Sequence, residues 1–402
     1  MIDFSSLFSA DTASFMRSPV RDIFKRVDLS KIYSFAGGYP SADAFDLEGI
    51  REFAVKIIEQ HGSKAFQYNA TQGVPELREA LAARYRIPLE RVQVTTSSQQ
   101  GIDVCARVMV DSGDVVLTSN PSYLGAIQSF RSYRAQVVGV KHCDDDALFH
   151  RSYVDAIEQC RRSGKKIKFL YMIPDFQNPS GETLPLTQRN ILVDLAQKYG
   201  FVIVEDSPYR ELRYRGKSVP TIYSLAPDCV IHLGSFSKIL APGLRVGWIF
   251  AHPDILDKIY VCKQSLDLCA PVFDQYIAAQ FVTSGRLDSN IAKIKGLYGE
   301  RCEAMQQLLA QRMPQGVTWT CPDGGLFLFL TMPAGFDTVK FYERALTRGV
   351  AYVAGSFFHT DGTGLNTMRL NFSFMNLERI GQGLELLGRL IGEEMNIQGI
   401  AG

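Results

Sequence analysis

The sequence contains no Cys-x-x-Cys pair. Its eight cysteines stand apart at 105, 143, 160, 229, 262, 269, 302 and 321. That pattern excludes a thiolate metal knuckle and a disulfide framework, and it reads as reduced, mostly buried thiols of a cytoplasmic protein. The six histidines show no ligand spacing, so no metal site is expected. No apolar run reaches about 18 residues, so no membrane span is expected. The segment Met1–Leu7 lacks the basic region and apolar core of a secretory signal. Neither sign of charge is in surplus: 43 Lys and Arg face 42 Asp and Glu, a net charge of +1. Nucleic acid and anionic membrane are thereby excluded as main partners. Internal repeats and low-complexity segments are also missing.

What is present is a long chain, 402 residues and 46% hydrophobic, with enough apolar residues for a large core. Strand-like runs are expected at 91–95, 115–119, 136–140, 168–173, 202–205, 230–234 and 245–250. Several are continuously apolar, as strands covered on both faces are. Helical patterns at 74–85, 99–110, 123–133, 151–162 and 187–199 alternate with them. This order predicts an α/β fold with a mostly parallel, seven-stranded, doubly wound sheet. Beyond about residue 270 the pattern turns α+β. A long helical stretch over 273–312 is interrupted at Ser284-Gly285. Strands follow at 326–330, 351–353 and 368–374, with helices at 338–348 and 377–394. The expected division is an arm over 1–45 (helical near 11–27), a large domain over 46–285 and a small domain over 286–402.

The most informative run is Ser235-Phe236-Ser237-Lys238-Ile239-Leu240-Ala241-Pro242-Gly243-Leu244-Arg245. It places one amine at a strand end among two hydroxyls and a guanidinium. Such a lysine is suited to a Schiff base with a phosphorylated aldehyde, which points to pyridoxal 5'-phosphate. That cofactor makes four demands. Its phosphate needs donors, and Ser98 and Gln99 open a helix after a strand, where free N–H groups and the helix dipole favour anions. Ser235, Ser237 and Arg245 approach from the Lys238 run. Its pyridine nitrogen needs an anion, and the buried run 201–204 ends in Glu205-Asp206. Asp206 is the better placed, because Tyr209 three residues on can reach the phenolate oxygen. Asn178, in Asn178-Pro179-Ser180-Gly181 after another strand, faces the usual crevice at the carboxyl edge of a parallel sheet. The ring needs a flat neighbour, and Tyr123 also ends a strand. Arg369, alone in the apolar run Met368–Phe372, would be costly unless paired, and a carboxylate clamp accounts for it.

These pieces resemble the pyridoxal phosphate-dependent aminotransferases of fold type I, class I/II, over nearly the whole chain. They are most similar to the aminoadipate and kynurenine aminotransferase branch. The run Phe35-Ala36-Gly37-Gly38 and the run Gln67-Tyr68-Asn69-Ala70-Thr71-Gln72-Gly73 add to the match. The resemblance implies catalytic roles for Lys238, Asp206 and Tyr209, and cofactor contacts from Ser98, Gln99, Tyr123, Asn178, Ser235, Ser237 and Arg245. It implies substrate contacts from Arg369, Asn178 and Gly38. Tyr68 would reach the cofactor of a neighbouring subunit, making a homodimer with shared active sites. The implied partners are an amino acid and a 2-oxo acid. Arg17 and Arg21 lie near the arm position that binds a distal carboxylate in the aminoadipate branch. Phe15, Tyr33, Tyr39, Phe357 and Phe358 suit a bulky substrate or plain packing. Other outcomes share the scaffold: β- or γ-elimination or replacement, decarboxylation, oxidation, or a ligand-sensing regulator. The regulator would need a winged-helix domain ahead of Gly37-Gly38, where too few residues stand for one.

Overall fold

The computed structural model describes residues 2–9 and 31–400. The expected helix near 11–27 lies outside the described residues, as do Phe15, Arg17 and Arg21. A short strand β1 (Tyr33–Ser34) comes first, and the large sheet follows in chain order. Its strands are β2 (Val92–Thr95), β3 (Val115–Asn120), β4 (Gln136–Lys141), β5 (Ile167–Met172), β6 (Val202–Asp206), β7 (Val230–Ser235) and β8 (Gly247–Phe250). The spatial order is β2-β8-β7-β6-β5-β3-β4. β4, β3, β5, β6 and β7 pair in parallel, and β8 runs antiparallel to both its neighbours.

The continuous apolar runs behave as their composition predicts. Leu170, Ile203 and Ile231 are fully buried, each stabilising the fold by roughly 1.5–3 kcal/mol. The helix Ser97–Met109 packs over β7 and β8, and the helices Leu124–Ser132 and Pro253–Leu266 pack against it. The helices Asp146–Arg162 and Leu186–Tyr199 pack on each other and over β4 and β6.

The second sheet is antiparallel, with order β12-β13-β10-β9. Its strands are β9 (Thr318–Trp319), β10 (Phe327–Thr331), β12 (Val353–Ala354) and β13 (Thr367–Asn371), while β11 (Val350–Ala351) pairs instead with β1. The helices Arg286–Arg312 and Leu377–Gln398 pack on each other, and the second also packs on β1 and β11. We propose domain boundaries after 45 and 285 on these grounds, together with the helix break at Ser284-Gly285.

Three local expectations differ from the structure. The run 351–353 is not one strand: Ala351 bonds the first strand and Val353 bonds β13, with the buried Tyr352 between them donating its hydroxyl to Thr338 O at 2.5 Å. The helix expected from 151 starts at Asp146, because Asp145 caps it by accepting from the Leu148 N–H. The helix Pro253–Leu266 was not expected. It opens with Pro at its first position and His252 as cap, the N-terminal signature of a helix.

β2, β8 and β7 meet tightly at one point. Gly247 is paired with Thr95 and Ser235, and a Cβ on it would lie 2.7 Å from both Gly234 O and the Ser97 carbonyl carbon. These neighbours are backbone and cannot step aside. Gly247→Ala is therefore expected to destabilise the protein by about 1–3 kcal/mol, read as a lowered urea midpoint. An unchanged midpoint would refute this close packing.

Candidate functional site

The carboxyl ends of β2, β3, β5, β6 and β7 all point to one crevice, the usual ligand position of an open α/β sheet. A cavity of about 640 Å³ lies there. Gly38, Ser98, Gln99, Tyr123, Asn178, Asp206, Tyr209, Ser235, Ser237, Lys238, Arg245 and Arg369 all line it. Tyr68 does not; it stands on the surface, 75% exposed.

The two acids at the end of β6 part company. Alternation along the strand sends Glu205 away from the cavity, where it caps the short helix Ile222–Leu225 by accepting from the N–H groups of Ile222 and Tyr223 at 3.1 and 2.9 Å. Burial pushes its carboxyl up, but the bonds from His232 and Tyr223 and the charge of Arg189 outweigh this and hold it below its usual range. Asp206 faces the cavity. Its Oδ2 accepts from Tyr171 Oη at 2.8 Å, and its buried Oδ1 has no donor. Burial pushes its carboxyl up to about 7, against the opposing pull of the Tyr171 hydroxyl.

Opposite lies an anion-receptive corner. Ser97 and Arg245 both adopt left-handed backbone, with φ of 65° and 53°, and Arg245 donates to Ser97 Oγ. Ser235 Oγ bonds Ser237 Oγ at 2.9 Å and accepts the Ser237 N–H at 3.1 Å. Ser98 is not the helix cap; Thr96 holds that position, and Ser98 sits inside the first turn. The N–H groups of a first turn have no partner within the helix. Gln99 turns its side chain to Tyr123, whose hydroxyl donates to Oε1 at 3.2 Å. The Tyr123 ring lies where a Cβ on Gly125 would stand, 2.6 Å from it.

The two remaining cations are held by carbonyls, not by acids. The segment after β1 crosses to the small sheet, with Phe35 bonding Ala351 and Asn371. Its next carbonyls reach the cavity. Lys238 Nζ donates to Gly38 O at 2.8 Å, and Arg369 Nη2 donates to Ala36 O at 2.6 Å. Arg369 Nη1 donates to Asn178 Oδ1 at 2.7 Å, and its Nε has no acceptor. The Arg369 guanidinium lies over the rings of Phe327 and Phe358, 4.2 and 5.1 Å from their centroids. Among the described residues no carboxylate pairs with Arg369, whose bonds go to Ala36 O and Asn178 Oδ1. Burial pulls the Lys238 amine down to about 8, assisted by the charges of Arg369 and Arg245.

A sequence model of the family "Aminotransferase class I and II" matches residues 36–387. The aromatic-amino-acid aminotransferase 1 of Thermococcus litoralis is 41% identical over 98% of this chain and 96% of its own length. The 2-aminoadipate transaminase of Thermus thermophilus is 35% identical, over 97% of this chain and 98% of its own. The crystal structure of a kynurenine aminotransferase from Pyrococcus horikoshii, in complex with PMP, superposes with a TM-score of 0.93 at 40% identity, covering 98% of both chains.

The chain belongs to the class I and II aminotransferases. It is a fold type I, pyridoxal phosphate-dependent transaminase. The residues present fit that cofactor on their own chemistry. The aminotransferase has a buried carboxylate oxygen without a donor, an uncapped helix start beside hydroxyls and a guanidinium, and a lysine amine of lowered basicity, all on one cavity.

Sequence reasoning missed several residues of the site. Tyr171 was hidden within an apolar strand run, and nothing local marks it as the partner of Asp206. Ser97 was passed over for Ser98, because a left-handed serine leaves no sequence signal. Phe327 reads as core. Of the aromatic residues expected near the mouth, Tyr39 and Phe358 line the cavity. Tyr33 instead bonds Gln382 and underlies Arg379.

Tyr171→Phe removes the one side-chain donor that favours the ionised form of Asp206. The Asp206 carboxyl should then titrate higher by roughly one pH unit. Carbon-13 NMR of aspartate-labelled apoprotein would read it, and no movement would show that the bond is not made.

Proposed function

We propose that Lys238 carries the cofactor and moves the substrate proton, and that Asp206 pairs with the ring nitrogen. Tyr209 and Asn178 hold the phenolate oxygen, and Tyr123 stacks on the ring. Ser98, Gln99, Ser235, Ser237 and Arg245 hold the phosphate. Arg369 and Asn178 clamp the α-carboxylate beside Gly38. When bound, pyridoxal phosphate supplies a carbonyl that condenses with amines and a ring that accepts negative charge from the amino acid's Cα.

The observation that carries this reading is the donorless Oδ1 of Asp206 in the same cavity as Lys238. A carboxylate so placed is poised to accept a hydrogen bond from a cationic N–H. Burial leaves the Lys238 amine able to lose its proton near neutral pH, as a group that takes and returns a Cα proton must. Arg369 has a spare N–H donor and no acidic partner, and a bidentate carboxylate satisfies both. The surface position of Tyr68 supports its reaching a second subunit, so the reading includes a homodimer with shared sites. Eight free thiols support a reducing, cytoplasmic setting. No described helix is long and apolar enough to cross a membrane.

The amino donor in this reading is aromatic or otherwise bulky. Tyr39, Leu124, Phe327 and Phe358 line the cavity, and its cations among the described residues are Lys238, Arg245 and Arg369, each already assigned. A distal carboxylate would require a further one, and the arm candidates Arg17 and Arg21 lie outside the described residues.

Four experiments test this. Borohydride treatment of protein reconstituted with pyridoxal phosphate should leave the cofactor mass on the peptide holding Lys238, and Lys238→Ala should abolish both the label and the visible absorption. A label on another lysine would overturn the assignment. Because the unprotonated amine is the reactive form, reconstitution should quicken with pH up to about 8 and level off above it. In a panel of amino acids followed by conversion to pyridoxamine phosphate, phenylalanine, tyrosine and kynurenine should react faster than 2-aminoadipate, glutamate and aspartate. The reverse order would rule out the aromatic reading. Arg369→Met should raise KM for every amino acid by roughly 10-fold or more, the loss of a charge-assisted bidentate pair.

A further inference from the structure

Thr96 stands at the cap of the helix Ser97–Met109, and threonine ordinarily caps a helix with its own hydroxyl. Here its side chain makes no capping bond. Instead Thr96 Oγ1 donates to Asp267 Oδ2 at 2.8 Å. Gln100 strengthens the diversion. Its Nε2 donates to the same oxygen at 2.7 Å, and its Oε1 accepts the Thr96 N–H at 2.8 Å. Lys263, fully buried, donates to Asp267 Oδ1 at 2.6 Å. Asp267 is thus fixed on both oxygens at the end of the helix Pro253–Leu266. None of these four residues lines the cavity.

We infer that Asp267 is a positioning residue for the cofactor phosphate. By holding the Thr96 hydroxyl away from the helix start, it keeps the N–H groups of Ser98 and Gln99 open to an anion. The cap that the helix would otherwise supply for itself is left to the ligand. This rests on the reading of Ser98 and Gln99 as phosphate donors. Without Asp267 the Thr96 hydroxyl is free to turn inward, and ligand and side chain then compete for the same first-turn donors.

The test uses the full-length protein. Asp267→Ala alone would strand the buried Lys263 amine, so it is combined with Lys263→Met. The double variant should bind pyridoxal phosphate roughly 10-fold more weakly than the parent, about the worth of one helix cap, measured by fluorescence titration of apoprotein. Unphosphorylated pyridoxal should bind both proteins alike. Adding Thr96→Val, which removes the competing hydroxyl, should restore pyridoxal phosphate affinity to within about twofold. Unchanged affinity in the double variant overturns the proposal, as does an equal loss for pyridoxal or a loss that Thr96→Val does not repair. If the double variant does not fold, Thr96→Val in the parent decides. Affinity kept within about twofold supports the proposal, and a 10-fold loss overturns it, since the hydroxyl would then serve the phosphate or the helix itself. Borohydride labelling of Lys238 in the parent separates this outcome from failure of the cofactor assignment.

Discussion

The cavity holds buried charge without opposite charge beside it. Asp206 and Arg369 are buried and Lys238 is half-buried, yet each is met by a neutral group: a tyrosine hydroxyl, an asparagine amide with an alanine carbonyl, and a glycine carbonyl. Neutral partners leave much of the desolvation penalty unpaid. The lowered basicity of Lys238 and the raised carboxyl of Asp206 express the same imbalance with opposite sign. A ligand carrying a phosphate, a cationic ring nitrogen and a carboxylate would supply the missing counter-charges together. The rest of the fold holds these groups around one cavity.

That service is visible around the loop after β5. Asp175 is buried and ringed by Arg189, Arg210 and Arg213. Arg189, itself fully buried, also donates to the carbonyls of Pro174, Leu184 and Pro220. The loop that presents Asn178 is therefore pinned at its root by a dense ionic knot, while Asn178 itself meets the Arg369 guanidinium and the Tyr209 hydroxyl. Ionic pairing is spent on the frame and withheld from the cavity.

How much of this was legible in the sequence follows from how local each determinant is. The strands of the large sheet were legible because both their faces are covered, which writes continuous apolar runs. Lys238 and Asp206 were legible because each ends such a run. Tyr171 was not, because its role comes from β5 lying beside β6, a fact of topology. The left-handed backbone of Ser97 and Arg245 arises where β2, β8 and β7 converge, and neither residue type announces it. The run 351–353 misled because adjacent residues serve different partners, and periodicity cannot show a change of partner.

The crossing segment at Ala36 and Gly38 has one further consequence. Its two carbonyls touch the amine of one sheet assembly and the guanidinium of the other, and its anchor is a strand only two residues long. Beyond that strand the segment is held to the second sheet by Phe35 and Tyr39, whose carbonyls accept from the Asn371 N–H and Ser373 Oγ. Whatever draws Lys238 or Arg369 toward an incoming molecule must break its bond to Gly38 O or Ala36 O, so an event at either cation is felt first in the backbone of residues 36–38.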